Sequence, residues 1–336
     1  MDRPLLGEHR SGPDHGAMTG DETPIRGEVR VRGYRRVSHG LYLPLTRRPP
    51  DGEWLRDLEA WQLVLPRDAA FTHVTAAALA GWWLPRLPDH VPVFAAATRQ
   101  ANRPRRAGLI CSRLEREPSE ISFQGMPVDH PAEVLLRCAR DLTLLDLVPL
   151  VESALKLGHV CPAELTDICA TTRPGVRRLR WAVSLADPRA ESWWECALRL
   201  FHVTIGVPVE PQVQVYDERG NFAARVDLLV TGTPHVHEYD GADHRHVKHH
   251  QLDLRRERRL AETAYVRRGF TADDLVNHPL VMLAEIDRAL GRQHQPARVA
   301  LWRRWVAEST LSTAGRQRLT NRWLHLSGLT DWARTA

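Results

Sequence analysis

The chain has 336 residues, of which 43% are hydrophobic and 26% charged, enough for two ordinary domains with their own cores. No apolar run approaches the roughly 18 residues of a membrane span, and no basic-then-apolar leader opens the sequence, so a cytoplasmic protein without membrane contact is expected. A net charge of +5 favours a polyanionic partner such as DNA, although nearly all 46 basic residues are arginines (Lys156 and Lys248 excepted), a bias that GC-rich coding produces regardless of function.

Residues 1–28 are rich in Gly, Pro and charge and carry no apolar period, which predicts an unstructured leader. Residues 29–44 alternate around Gly33 and Gly40 as a short β-hairpin, a candidate wing. Helices are predicted over 55–65 and 72–80, and strands over 91–97 and 109–113. A helical block follows. Asp129, Pro131 and Glu133 give an N-cap, a first-turn proline and an acid at capping-box spacing, and further helices fall over 144–155, 162–169 and 175–185. The five cysteines (Cys111, Cys138, Cys161, Cys169, Cys196) form no C-x-x-C pair and are odd in number, which predicts buried free thiols.

The pattern changes near Asp187-Pro188, where a domain boundary is placed. Beyond it come a helix over 191–202, strands over 213–216, 222–230 and 236–240, a charged helix over 252–263, a strand over 265–271 and a helix over 274–290. That order, α-β-β-β-α-β-α, gives a mixed sheet flanked by helices, an α/β (α+β) class. The predicted layout is thus 1–28 unstructured, 29–185 a winged-helix remnant with a helical region, 186–292 the mixed-sheet domain, and 293–336 a basic, Trp-rich helical tail.

The hairpin 225–241 carries the chemistry. If residues 231–234 form its loop, Val230 pairs with His235 and Asp227 falls opposite Glu238. Directly opposed residues on antiparallel strands lie about 4.5–5.5 Å apart at Cβ, where like charges repel. Two acids so placed in an apolar hairpin call for a cation, and a hard divalent metal with oxygen ligands, Mg²⁺ first, is the natural one. Asp240 shares their face, either as a third ligand or as the partner of Arg225; the spacing leaves both open. Gly241 admits close backbone approach, and His244 and His246 follow within reach as proton carriers or phosphate contacts. Glu195 is a further acid on the entering helix, with an i, i+4 pair to Arg199 as the plainer reading. Arg255, Arg256, Arg258 and Arg259 make the later helix basic, either a solvated face or one that tracks phosphates.

From residue 190 onward the chain resembles a bacterial domain family related to very-short-patch-repair endonucleases, within the PD-(D/E)xK restriction-endonuclease-like superfamily. The matching segments are Glu191-Ser192-x-x-Glu195, Pro211-x-Val213-Gln214-Val215, Arg225-Val226-Asp227-Leu228, Glu238-Tyr239-Asp240-Gly241-x-x-His244, Asp253-x-x-Arg256-x-x-x-Leu260 and Thr271-Ala272-Asp273-Asp274-Leu275. The resemblance implies phosphodiester hydrolysis on DNA in a defence or repair role, with Asp227 and Glu238 binding Mg²⁺ or Mn²⁺, Glu195 assisting, and Asp240 catalytic. The basic helix and the nearby histidine make His244, Arg255, Arg256 and Arg259 the candidate DNA contacts. The superfamily's lysine, two residues after the glutamate, is Asp240 here, which leaves the activating base unassigned.

The N-terminal half resembles AbiEi-like antitoxins of type IV toxin–antitoxin systems, through Arg35-Arg36-Val37-x-x-Gly40-Leu41-Tyr42, Thr75-Ala76-Ala77-Ala78-Leu79-x-Gly81 and Met126-Pro127-Val128. Such proteins open with a DNA-binding winged helix-turn-helix, whose leading helices residues 1–28 are too rich in Gly and Pro to build. This resemblance implies the alternative function, a catalytically silent DNA-binding antitoxin or autorepressor with a toxin partner.

Overall fold

A computed structural model of the chain describes residues 23–28, 33–45, 50–117, 119–241 and 258–327. They form two compact units that meet in sequence at Arg67 and Asp68.

In the first unit, β1 (Ile25–Arg26), β2 (Tyr34–Ser38) and β3 (Leu41–Pro44) form a sheet in the order β1-β3-β2, followed by helix α1 (Pro50–Gln62). Ser38 pairs with Leu41 across a two-residue turn in which Gly40 takes φ +64°, a left-handed conformation that glycine adopts without a Cβ clash. The hairpin expected over 29–44 is present in its described part, 34–44; residues 29–32 lie outside the described ones. Part of the leader expected to lack structure is ordered, since its residues 25 and 26 add a third strand by pairing with Tyr42 and Leu41; residues 1–22 lie outside the described ones. Arg35 ties the hairpin to α1 through Glu53 at 2.7 Å.

The second unit begins with β4 (Ala70–Phe71) and α2 (His73–Leu79), then β5 (Val93–Ala97) and β6 (Leu109–Arg113), in a sheet of order β4-β5-β6 with β5 and β6 parallel. The small hairpin of β7 (Ser122–Phe123) and β8 (Met126–Pro127) leads into α3 (Pro131–Cys138), α4 (Leu144–Lys156), α5 (Pro162–Ala170) and α6 (Val176–Leu185). Pro131 opens α3 as anticipated, but Glu133 does not cap it. Its buried carboxylate takes both guanidinium nitrogens of Arg173, at 2.6 and 2.5 Å. Three cysteines (Cys138, Cys169, Cys196) are buried and free as expected; Cys161 is exposed and Cys111 half-buried.

Helix α7 (Trp193–Thr204) then precedes β9 (Val209–Tyr216), β10 (Phe222–Val230), β11 (His235–Tyr239) and β12 (Val266–Phe270). These strands form one sheet in the order β12-β11-β10-β9, antiparallel at its first two sequential pairings and parallel at β11–β12. Parallel neighbours need a crossover, and residues 258–261 are its described helical part. Leu260 there is buried with Val215, Ala224, Val226 and Val236 of the sheet. The single helix expected over 274–290 is two, α8 (Ala272–Asn277) and α9 (Pro279–Ala289). Pro279 disfavours helical backbone at the residue before it, and His278 sits at φ −121°, ψ 35°.

Residues 293–327 add a 3₁₀ turn and helices α10 (Ala300–Glu308) and α11 (Thr313–Ser327). Their tryptophans fix where the tail packs. Buried Trp302 meets Phe201 of α7 edge-on at 5.4 Å and donates to the Leu275 carbonyl at 2.7 Å. Trp323 lies against Phe94 and donates to Asp141 Oδ2 at 2.8 Å. Between them Thr310 Oγ1 donates to buried Asp146 at 2.8 Å.

The contact pattern therefore divides the chain after Arg67 and not near residue 186, and buried ties cross that point. Arg199 of α7 forms an ion pair with Glu152 of α4, and Glu152 also accepts the backbone N–H of Asp187 at 2.9 Å. Glu152 is fully buried, and burial pushes its carboxyl pKa up against the pull of Arg199. Breaking one side of such a pair leaves an uncompensated charge in the core. Arg199→Met is expected to destabilise the protein by about 3–5 kcal/mol, and adding Glu152→Met to recover most of that loss. Urea unfolding of the two variants measures both steps.

Candidate functional site

Strands β10 and β11 place the acids by register. Leu228 pairs with His237 and Leu229 with Val236, and one further step outward sets Asp227 opposite Glu238. On the other side, β9 pairs Pro211 with Leu228 and Val213 with Val226, which sets Gln212 beside Asp227. Gln212 takes φ +57°, a left-handed conformation uncommon outside glycine. Asp227, Glu238, Asp240, Gly241 and Gln212 all line one cleft of about 820 Å³. The hairpin thus brings together the acids that the alternation predicted.

Glu238 is buried, with 2% of its surface exposed, whereas Asp240 is exposed and Asp227 half-buried. Asp227 Oδ2 accepts the backbone N–H of Tyr239 at 2.9 Å. One cation bound to these acids is a residue the sequence did not single out. Arg267 of β12 donates from Nε to Glu238 and from an Nη to Asp240. Its path is set by the parallel register, in which Val236 faces Arg267 and Glu238 faces Gly269. A side chain at Gly269 would collide with Asp240, whose Oδ2 lies 1.6 Å from where a Cβ would stand. The missing side chain leaves the lane in which Asp240 and Arg267 meet. A glycine inside a strand often marks such close approach, and that was the available signal.

Other expectations resolve differently. Asp240 pairs with Arg267, and Arg225 reaches Glu191 at 2.6 Å, so the alternative Asp240–Arg225 pair is not formed. Glu195 stands outside the lining of the cleft and does not pair with Arg199. Its Oε2 accepts from the Glu191 N–H and from Gln212 Nε2, both at 2.8 Å, so it touches the cleft through those two lining residues. Arg259 lines the cleft and donates to the Ala223 carbonyl at 3.1 Å. His244, His246, Lys248, Asp253, Arg255 and Arg256 lie outside the described residues.

The donor set can be weighed against a divalent ion. Among the described residues no group of three or more His, Cys, Asp or Glu side chains is placed to hold a metal. Two facing carboxylates are what remains, and they suit Mg²⁺, which commonly takes one or two carboxylates and completes its shell with water and substrate phosphate. Among the described residues, four acids (Glu191, Asp227, Glu238, Asp240) and three arginines (Arg225, Arg259, Arg267) line the cleft, a near balance of charge.

Behind the sheet two buried histidines form a second polar feature. His202 Nδ1 lies 2.8 Å from the Leu198 carbonyl, and its Nε2 is 2.7 Å from His237 Nδ1. An acceptor carbonyl requires the proton on His202 Nδ1, so in the neutral pair His237 Nδ1 donates to His202 Nε2. Burial depresses both pKa values, to about 4 for His202 and about 2 for His237, where the neighbouring His202, Arg268 and His235 add to the effect.

Compared with known families, curated proteins and solved structures, the chain matches none.

The histidine pair sets a pH dependence. Both folded values lie below the ordinary 6.5, so the unfolded chain takes up protons first. The pair's contribution is complete above 6.5 and declines as pH falls toward the folded values. Unfolding free energy measured by urea titration is expected to drop between neutral pH and about pH 5, and His237→Gln to reduce that slope by about one proton. An unchanged slope in the variant counts against the neutral buried pair.

Proposed function

We propose that the chain is a DNA phosphodiesterase of the endonuclease type, acting in defence or repair. The observation that carries this reading is the placement of Asp227 and Glu238, facing each other on adjoining strands at one open cleft with Asp240 beside them. Two supports come from the chain order. Helix α7, three antiparallel strands, a crossover and a parallel fourth strand are compatible with the mixed sheet flanked by helices expected from the sequence. Glu195 of that helix accepts from Gln212, which stands beside Asp227 on β9.

In this reading Asp227 and Glu238 would hold Mg²⁺ or Mn²⁺. Bound there, the ion would supply Lewis-acid polarisation of a phosphate and a water of lowered pKa. The protein's own groups do the positioning. Tyr239 N–H fixes the Asp227 carboxylate, and Arg267 holds Glu238 and Asp240 together. Where the superfamily carries a lysine, two residues after the glutamate, this chain has Asp240, and the positive charge at that spot comes from Arg267 on the neighbouring strand. Arg259 at the rim is placed to meet a phosphate of the backbone.

A second reading, a silent DNA-binding antitoxin or autorepressor with a toxin partner, draws on that same arginine. Arg267 already satisfies Glu238 and Asp240, so the fold can bind without a metal. The three-stranded sheet that precedes α1 fits the wing of that family.

Plasmid nicking with Mg²⁺ or Mn²⁺ separates the two. Cleavage by the wild type is expected, with Asp227→Asn and Glu238→Gln each lowering the rate more than about a hundredfold while the protein stays folded, since changes even to groups behind the ligands cost up to about that much. A wild type that retards DNA in a gel yet never nicks it would establish the second reading.

A further inference from the structure

The helical block holds another large concavity, of about 710 Å³, between the end of α3, the start of α6 and helix α11. Among the described residues twelve line it; six are arginines (Arg140, Arg173, Arg177, Arg178, Arg180 and Arg322) and none is acidic. Two of the six are neutralised, Arg173 by Glu133 at 2.5 Å and Arg322 by Asp141 at 2.6 Å. The other four have no carboxylate partner among the described residues. Arg178 donates to the carbonyls of Ala139 and Leu142 at 2.9 and 2.8 Å, Arg180 to Cys169 at 2.6 Å, and Arg140 to Pro174 at 3.3 Å. Arg177, exposed at the start of α6, has neither kind of partner there.

Backbone carbonyls orient a guanidinium without cancelling its charge, so these contacts hold the arginines in place and leave the concavity positive. The crowding is felt: burial and the neighbouring Arg137 and Arg173 pull the Arg140 pKa down. An ordinary solvated arginine face looks different, with acids interspersed, as where Arg35 meets Glu53 and Asp57. Unbalanced guanidiniums converging on one hollow are matched by an anion of high charge density with several oxygens. The planar fork of arginine fits phosphate in that way.

We propose that this concavity is a phosphate-binding site, separate from the carboxylate cleft and independent of any reaction there. Phosphate groups reach it from one of two sources, the backbone of a nucleic acid or a free phosphate compound. The probes are a labelled mixed-sequence DNA duplex followed by fluorescence anisotropy over a salt series, and inorganic pyrophosphate followed by calorimetry, both without divalent metal. The variants are Arg177→Ala, its double with Arg140→Ala, and Arg303→Ala, which removes the same charge from an exposed position that does not line the concavity. Arg177→Ala breaks no contact seen among the described residues, so loss of fold does not cloud it.

For a nucleic-acid source, Arg177→Ala is expected to lower the slope of log affinity against log salt by about 0.9 and the double variant by about 1.8, equally for all duplex sequences, with Arg303→Ala near wild type. Pyrophosphate binding lost in the double variant, with duplex binding unchanged, assigns the site to free phosphate compounds. If the double variant alters neither, or if Arg303→Ala has the same effect, the proposal is overturned. Asp227→Asn is expected to keep both kinds of binding, so failure here and failure of nicking are separate outcomes.

Discussion

Two carboxylates on adjoining strands repel each other, and the geometry of this cleft follows from how the fold accommodates that repulsion. The hairpin register sets Asp227 beside Glu238, so neither can turn away without a slip that would carry the whole apolar set of β10 to the other face. The answer visible in the chain is Arg267, which needs three conditions at once. Strand β12 must lie parallel beside β11, the register must bring Val236 against Arg267, and the residue between them and the acids must lack a side chain. Gly269 meets the last condition, at a cost of roughly 0.5–1 kcal/mol relative to alanine in a strand interior. The crossover between β11 and β12 is therefore part of the cleft's electrostatics as well as of its topology.

The sheet is held from behind by groups that never reach the cleft. Helix α7 carries three of them: His202 bonded to His237 of β11, Arg199 paired with Glu152 of α4, and Phe201 against Trp302. A polar contact between two buried imidazoles is directional in a way apolar packing is not, and it ties the middle of β11 to the helix one residue away from Glu238. The C-terminal helices thus act on the cleft through α7. Trp302 wedges between α7 and the Leu275 carbonyl, and the turn at Thr310 closes on Asp146 of α4.

Some of this arrangement could be read from the amino acids and some could not. Strand alternation and a four-residue loop were enough to set Asp227 against Glu238, because register depends on counting and on which face is apolar, both local properties. Arg267 was missed because its role depends on strand order, which brings residues 29 apart in sequence into contact through a parallel pairing. The histidine pair escaped for the same reason, and with seventeen histidines in the chain no composition argument could pick out two. The boundary placed near residue 186 followed a change in sequence pattern, whereas compactness depends on contacts such as Glu152 with Arg199, which a linear pattern does not encode. The tail's tryptophans announced burial without naming a partner.

Charge shows most clearly how a chain average differs from a local field. The net +5 spread over the whole molecule would say little. Its distribution says more: among the described residues the carboxylate cleft gathers four acids and three arginines, while the helical concavity gathers six arginines and no acid. Electrostatic potentials in physiological salt fall off over about 8 Å, so each hollow presents its own potential to a ligand at its mouth. A near-balanced cleft gains little from a polyanion until a cation is added, and a concavity in which four of six guanidiniums lack a carboxylate partner among the described residues gains at once. Holding a polyanion and binding a metal ask for opposite local fields, and in the proposed readings the two tasks fall to different hollows.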